Sequence, residues 1–340
     1  MELGKSSQYR MSTDSKQTDR YLGVVLGAAV GDALGAGYEF TNPHEDELIE
    51  MIGGGTFDWA PGEWTDDTQM SLAVLSALAN GSISTLSVAE NFLEWYDSDP
   101  PDVGTQTRSV LGAAETPDAL EATAAAFLDA KPEAAGNGGL MRTSPAALIS
   151  QNNRDEISDY ARKVSALTHP HKDSVNACIL WSLAIQQAAN WDEHEKTFDW
   201  VEALKDGLDY IPKAEQSRWE MLIGEAVEKE PSTFNPNGWV VTAFQAALSV
   251  IVNTKVSPED PSSHFRETLV NAVKIGDDTD TVSSIAGAYL GARWGKSAIP
   301  EKWLQVLNGY KVNQSDSLDS ENIERLVLQV LNLHTYSRNW

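Results

Sequence analysis

The chain has 340 residues, with 50 Asp and Glu against 25 Lys and Arg and a formal net charge of −25 at pH 7. That balance speaks against electrostatic binding to nucleic acid or to an anionic membrane, which needs clustered Lys and Arg. One cysteine, Cys178, excludes an intrachain disulfide; within the apolar run 177–185 it reads as a buried structural thiol in a reducing, cytoplasmic setting.

Residues 1–19 are polar, lack the continuous apolar stretch of a signal peptide, and read as a flexible N-terminal tail. No internal linker interrupts 20–340, which reads as one large domain. From Gly23, glycine recurs at Gly27, Gly31 and Gly35, a smooth stripe on one face of a helix. Each such glycine costs about 1 kcal/mol relative to Ala, so four on one face imply close approach of another helix or a ligand. The apolar run 22–36 is read as too short to span a bilayer and contains Asp32, so a soluble protein is expected. Gly37 closes the helix and leaves Glu39 just beyond it, between Tyr38 and Phe40, where a partly buried carboxylate is expected.

Apolar residues at three- and four-residue spacing predict further helices over 69–79, 88–96, 120–129, 157–167, 174–190, 198–208, 215–229, 240–252, 263–274, 281–294, 300–308 and 321–333. Strand-like alternation is scarce, so the class is all-α. Turn chemistry places breaks at Gly53-Gly54-Gly55, Asp99-Pro100-Pro101, Gly136-Asn137-Gly138-Gly139, His169-Pro170 and Asn235-Pro236-Asn237-Gly238. No repeat of fixed period is evident.

Two acidic motifs, Thr65-Asp66-Asp67-Thr68 and Asp278-Thr279-Asp280-Thr281, each offer two carboxylates and hydroxyls within four residues. These are the hard oxygen ligands that Mg²⁺, Mn²⁺ or Ca²⁺ prefer, and together the motifs read as one split metal site. Both precede helical runs, so helix capping is the rival reading. A cap needs only one such residue, however, and two anions in one turn repel unless a cation is present.

The loop Gly136-Asn137-Gly138-Gly139, followed by Leu140-Met141-Arg142, has the composition of an anion cradle: glycines expose backbone amides, and Arg142 would add a charged fork. It fits neither the P-loop nor the dinucleotide fingerprint, and an ordinary loop before a helix is the rival. His169-Pro170-His171 carries two imidazoles for a metal or a phosphate; without a Cys partner a zinc site is not expected, and a surface turn is the alternative. Asp97, Asp99 and Asp102 read as solvated loop charges by default, although Asp102-Val103-Gly104 is tight enough to place one carboxylate. No nucleophile-elbow serine is present.

In this order the pieces resemble the ADP-ribosylglycohydrolase family: Gly27-Ala28-Ala29-Val30-Gly31-Asp32-Ala33-Leu34-Gly35, Glu39, Trp64-Thr65-Asp66-Asp67-Thr68, Asp102-Val103-Gly104, Gly136 to Arg142, Thr168-His169, Gly238-Trp239-Val240-Val241 and Asp278-Thr279-Asp280-Thr281. The resemblance covers about 20–305. It implies an orthogonal multi-helix fold with a central cleft holding two divalent cations, Mg²⁺ or Mn²⁺. Thr65, Asp66, Asp67, Asp278, Asp280 and Thr281 would be the ligands, and Glu39 and Asp102 the catalytic carboxylates. Gly136, Asn137, Gly138, Gly139, Met141, Arg142, His169 and Trp239 would bind substrate, with His169 near the phosphates and Trp239 towards the adenine. Three departures stand out: Asp277 where the family usually has glycine, Trp239 for a frequent tyrosine, and Gly139 for a commoner Ser or Ala. None removes a ligand.

The activity implied is metal-dependent cleavage of the glycosidic bond at the distal ribose of an ADP-ribosylated protein side chain or small ADP-ribose conjugate. A phosphoesterase on the same scaffold and a non-catalytic ADP-ribose binder are the alternatives. The segments expected to choose the leaving group, 41–60 and 100–112, carry no readable code, and oligomeric state is not legible.

Overall fold

A computed structural model describes residues 3–192, 198–310 and 317–337. Among them the chain is mostly helical, in the order α1 (Leu3–Gly35), α2 (Asp66–Ala79), α3 (Thr85–Asp97), α4 (Thr105–Leu111), α5 (Leu120–Ala130), α6 (Arg154–Ala166), α7 (Lys172–Ala189), α8 (Trp200–Lys205), α9 (Lys213–Glu228), α10 (Val240–Asn253), α11 (Ser263–Val273), α12 (Thr279–Trp294), α13 (Glu301–Val306) and α14 (Ser320–Ser337). Every helix anticipated from spacing is present. The segment 198–208 divides at Gly207 into α8 and a separate 3-10 turn. The short α4 has too few turns to show a period. A two-residue antiparallel pair, β1 (Asn308–Gly309) with β2 (Leu318–Asp319), is the exception to the all-helical expectation.

The first helix corrects two expectations. It starts at Leu3 and runs without a break into the apolar stretch. Gln17 bonds to Asn190, and the Asp19 carboxylate accepts from Ser297 N at 3.1 Å and Ser297 Oγ at 2.8 Å. Side chains that read as tail therefore tie the helix to the body. The apolar part, Ser15–Tyr38, is long enough at 24 residues to cross a membrane by length and composition, yet 94% of its most apolar window is buried inside the protein. It is a core helix.

What covers it is α12, and the glycines explain how. A β-carbon on Gly23 would stand 2.3 Å from the Gly291 carbonyl oxygen, on Gly27 2.3 Å from that of Gly287, and on Gly31 2.1 Å from that of Ser283. In return, Gly287 and Gly291 would collide with the oxygens of Gly27 and Gly23 at 2.1 and 1.8 Å. The two helices thus meet backbone to backbone along a seam with glycine on both sides. The opposite face of α12 carries Tyr289, which packs edge-on against Trp181 and Trp200 and donates its hydroxyl to Trp200 O at 2.9 Å. At its upper end the seam brings Gly35 against the Asp280 backbone, so the second acidic motif starts where α1 finishes.

Candidate active site

The first acidic motif is built on a carboxylate from α1. Asp32, fully buried, accepts from Thr65 N at 2.9 Å, from Thr68 N at 2.9 Å and from Thr68 Oγ1 at 2.6 Å. Thr65 in turn caps α2, accepting from Asp67 N at 3.4 Å. Asp66 and Asp67 follow in the first helical turn, buried and not needed as caps. The sequence singled out Asp32 only as a charge unsuited to a membrane; its role as the anchor of the motif has no local signal.

The second motif resolves the capping question. Asp278 occupies the cap position of α12 but its side chain makes no capping bond. Its carboxylate instead accepts from Asn137 Nδ2 at 2.6 Å, while its backbone N donates to Asn237 Oδ1 at 2.9 Å. Asn237 is a fully buried node: its N donates to Asp277 Oδ2 at 3.0 Å, its Nδ2 to Gly276 O at 3.1 Å, and its carbonyl accepts from Asn137 Nδ2 at 3.1 Å. Asp277 (φ 66°) and Gly276 (φ 83°) turn the chain sharply into α12, and Asn237 holds that turn. Beside it, Phe40 N donates to Asp277 O at 2.7 Å and Asp277 N to Thr41 O at 3.0 Å, a short bridge that brings Glu39 to the motif.

Glu39, Asp278 and Asp280 then offer carboxylate oxygens that all lie within 4.8 Å of one another. Thr281 Oγ1 donates to Asp67 Oδ2 at 3.2 Å and joins the two motifs. Among the described residues, Glu39 Oε2 and Asp67 Oδ1 are buried without a hydrogen-bond partner. Orphaned anionic oxygens within a set of carboxylates and hydroxyls fit a hard divalent cation, since burying them unpaired is otherwise costly.

The protonation equilibria carry the same strain. Burial lifts the Glu39 carboxyl to about 9, with Asp102, Asp278, Asp32 and Asp277 adding repulsion. Burial raises Asp32 to about 6 against its bonds from Thr68 and Thr65, and Asp102 to about 6 against a bond with Asp66. Asp66, Asp67 and Asp280 are held well above the ordinary carboxylate range, first by burial and then by one another and their neighbours. All these groups bind protons more tightly folded than unfolded, so the cluster's contribution to metal-free stability is greatest at low pH and is lost as pH rises through about 6 for Asp32 and Asp102 and about 9 for Glu39. The melting temperature in EDTA is therefore expected to fall from about pH 5 to about pH 9, and the increment added by Mg²⁺ or Mn²⁺ to grow over the same range as the ligands lose protons. A metal-free profile that rises with pH would contradict this electrostatic picture.

Residues 13–338 match the family model described as ADP-ribosylglycohydrolase. The chain belongs to the ADP-ribosylglycohydrolase family. It is 28% identical over 305 residues to ADP-ribosylarginine hydrolase Tri1 of Serratia proteamaculans, covering 86% of this chain and 76% of that protein. It is 29% identical over 296 residues to the ADP-ribosyl-[dinitrogen reductase] glycohydrolase of Rhodospirillum rubrum, covering 85% and 90%. ADP-ribosylhydrolase ARH3 of Homo sapiens is 26% identical over 339 residues, covering 87% and 91%. Among solved structures, an ADP-ribosylglycohydrolase-related protein complex superposes with a TM-score of 0.72 at 27% identity, covering 94% of this chain and 99% of that one.

Within this ADP-ribosylglycohydrolase fold the glycine loop lies beside the second motif through Asn137, and Met141 Sδ approaches Thr281 Oγ1 at 4.0 Å. Asp102 is partly exposed and reaches the cluster at Asp66. Trp239 is 45% exposed, paired with Gly136 in a backbone bridge at the edge of a cavity of about 430 Å³ lined also by Glu133, His171 and Asp173. His171 caps α7, its Nδ1 accepting from Asp173 N at 3.1 Å. His169 is buried beneath the glycine loop; a β-carbon on Gly138 would stand 2.9 Å from its Cε1, and one on Gly139 3.2 Å from its Cβ. Gly138 and Gly139 are thus required by the packing over this ring as well as by any ligand. Arg142 was expected to add a charged fork to the loop. Its side chain is fully buried and turned under the loop, with the guanidinium 4.5 Å from the Phe92 ring and bonded to Thr168 Oγ1 at 2.6 Å.

Asn237 was legible only as turn chemistry. Asn237→Asp would set a carboxylate against the Gly276 carbonyl and beside Asp277 and Asp278. Loss of a residue that orients a metal ligand commonly lowers affinity about 10- to 100-fold, and a drop of that size in Mn²⁺ affinity, with α-helical content retained, is expected by titration calorimetry.

Proposed function

We propose that this chain is a metal-dependent hydrolase that cleaves the glycosidic bond at the distal ribose of an ADP-ribosylated protein side chain or small ADP-ribose conjugate, releasing ADP-ribose. The observation that carries the reading is the meeting of Glu39, Asp278 and Asp280 within 4.8 Å, with an orphaned Glu39 oxygen, in a chain of this family. Relatives named for ADP-ribosylarginine and for ADP-ribosyl-[dinitrogen reductase] support a protein-borne leaving group.

Thr65, Asp66, Asp67, Asp278, Asp280 and Thr281 would hold two divalent cations, Mg²⁺ or Mn²⁺, with Glu39 adjoining them. Bound there, the cations supply Lewis acidity and a grip on hydroxyls and water. The chain's own residues do the rest. Glu39 assists the leaving group or guides water, its second oxygen being free of protein partners. Asp102, partly exposed beside the cluster, orients the ribose and water. The carboxylates around the anomeric carbon favour the positive charge of an oxocarbenium-like transition state. The loop from Gly136 to Gly139, with His169 beneath it, receives the diphosphate, and the cavity beside Trp239 takes the adenosine end.

The test is release of free ADP-ribose from arginine-, serine- and acetyl-linked substrates with Mg²⁺, Mn²⁺ or EDTA. Metal-dependent release from at least one linkage is expected. AMP or phosphate as product would instead mark a phosphoesterase, and tight ADP-ribose binding without release a non-catalytic binder. Glu39→Gln is expected to lower turnover about 10²- to 10⁴-fold while metal-induced thermal stabilisation persists; near-normal turnover would remove Glu39 from the chemistry.

A further inference from the structure

We propose that Arg142 is a positioning residue which, acting through Thr168, fixes the tautomer of His169 with its proton on Nε2, directed at the backbone of the glycine loop. The inference rests on the polarity of one buried hydrogen-bond chain. Arg142 Nη2 lies 2.6 Å from Thr168 Oγ1, and Thr168 Oγ1 lies 2.7 Å from His169 Nδ1. All three residues are buried, Arg142 and Thr168 fully and His169 to 2% exposure.

A guanidinium can only donate, so Thr168 Oγ1 accepts from Arg142. The hydroxyl retains one hydrogen, and His169 Nδ1 is the acceptor recorded within its reach. Gln106 does not compete, because its Nε2 donates to the Thr168 carbonyl at 2.9 Å and not to the hydroxyl. An Nδ1 that accepts carries no proton. A doubly protonated ring would take away the acceptor for the Thr168 hydroxyl hydrogen and would place two cations side by side in a buried site. Burial, with the charge of Arg142 behind it, holds His169 neutral. The remaining proton is therefore on Nε2.

That nitrogen faces the loop. A β-carbon on Gly138 would stand 3.1 Å from Nε2, and one on Gly136 3.4 Å. The Nε2–H is then a fixed donor under a glycine cradle, suited to an anionic oxygen such as that of a diphosphate. The direction of the chain also accounts for a charged side chain being kept in the core. Arg142 reads as a phosphate fork from its place in the sequence, but its Nη1 meets only the Met70 sulfur at 3.5 Å and its Nε has no partner, so its charge acts on the loop at one remove. The proposal deepens the hydrolase reading and depends on it only for the identity of the anion.

The experiment is long-range ¹H–¹⁵N NMR of the full chain, labelled with ¹⁵N-histidine, metal-free and with Mg²⁺; the His169 signals are assigned by their loss in His169→Asn. The expected wild-type pattern is a protonated Nε2 and an unprotonated Nδ1. Thr168→Ser, which keeps the hydroxyl, retains it. Thr168→Val, which removes the relay, loses the fixed pattern and weakens ADP-ribose binding about tenfold, the loss of one charge-assisted contact. Arg142→Met, which removes the donor to Thr168 while keeping an unbranched stem, serves if the valine variant does not fold; it is expected to shift the pattern in the same direction, and an unchanged pattern in it overturns the proposal. A protonated Nδ1 in the wild type overturns the proposal, as does an unchanged pattern in a folded Thr168→Val protein. A chain that shows the Nε2–H pattern but releases no ADP-ribose fails the hydrolase reading and keeps this one.

Discussion

Asp280→Asn is expected to raise the melting temperature of the metal-free protein while abolishing the stabilisation that Mg²⁺ or Mn²⁺ confers. Two effects of opposite sign meet at this side chain. Without a cation, Asp280 is a buried anion facing Glu39, Asp67 and Asp278, and burial and those charges together hold its carboxyl well above the ordinary range. An amide of the same shape removes the repulsion and keeps the bond from Thr281 N, now 2.9 Å from Oδ1. Relief of about 1 kcal/mol corresponds to about 1–2 °C in a chain of this length. With a cation in the proposed site, the same change would remove one of the anionic ligands proposed for it. Loss of a mere orienting neighbour already costs 10- to 100-fold, so turnover of ADP-ribosyl substrates should drop by at least about a hundredfold. Thermal melts with EDTA and with Mn²⁺, alongside ADP-ribose release, separate the two terms. A variant less stable than wild type in EDTA would mean that Asp280 is held by contacts other than a cation, and the charge-frustrated cluster would have to be abandoned.

Gly287→Ala, in the middle of the seam, is expected to be strongly destabilising. The new carbon would stand 2.1 Å from the Gly27 carbonyl oxygen, far inside contact distance, and the obstacle is backbone, which cannot rotate away. Overpacking a well-fitted core costs about 1–3 kcal/mol and more where nothing yields, so a loss of about 3 kcal/mol or a failure to fold is expected, even though Ala is the better helix former. Because α1 carries Asp32 and α12 carries Asp280, helices forced apart also separate the two halves of the acidic cluster. The matched control is Gly224→Ala on α9, where a β-carbon meets nothing within 4 Å; there the change should stabilise by up to about 1 kcal/mol. Equal melting temperatures for the two alanine variants would show that the seam tolerates separation.

Which features were legible from sequence follows from how far apart their causes lie along the chain. The helices were legible because their apolar spacing is local, and the stripe from Gly23 to Gly35 announced a close neighbour. Its partner was not, since Gly287 and Gly291 lie among ordinary small residues and gain meaning only against α1. Both acidic motifs could be picked out because ligands crowd within four residues. Asp32 and Asn237, which hold those motifs in place, act across 33 to 41 residues of sequence and leave only a single polar letter each. Arg142 was misplaced for a related reason. Adjacency to a glycine loop suggests a phosphate contact, but a tight turn at Asn137–Gly139 sends the side chain inwards, towards Phe92 and Thr168.

The bridge between Thr41 and Asp277 divides the chain around Glu39 into two mechanical parts. Up to Thr41 the backbone is clamped to the turn that launches α12, by the bonds Phe40 N to Asp277 O and Asp277 N to Thr41 O. Beyond it, the segment 42–60 leaves with Leu48 and Ile52 largely exposed. A change of length or composition in 42–48, ahead of the buried Ile49 and Met51, is absorbed on the far side of the clamp, and loops of this kind tolerate such change well. The acidic centre and this outer stretch can thus be altered independently, which under the proposed hydrolase reading would let relatives on this scaffold change the side chain they accept without rebuilding the acidic cluster.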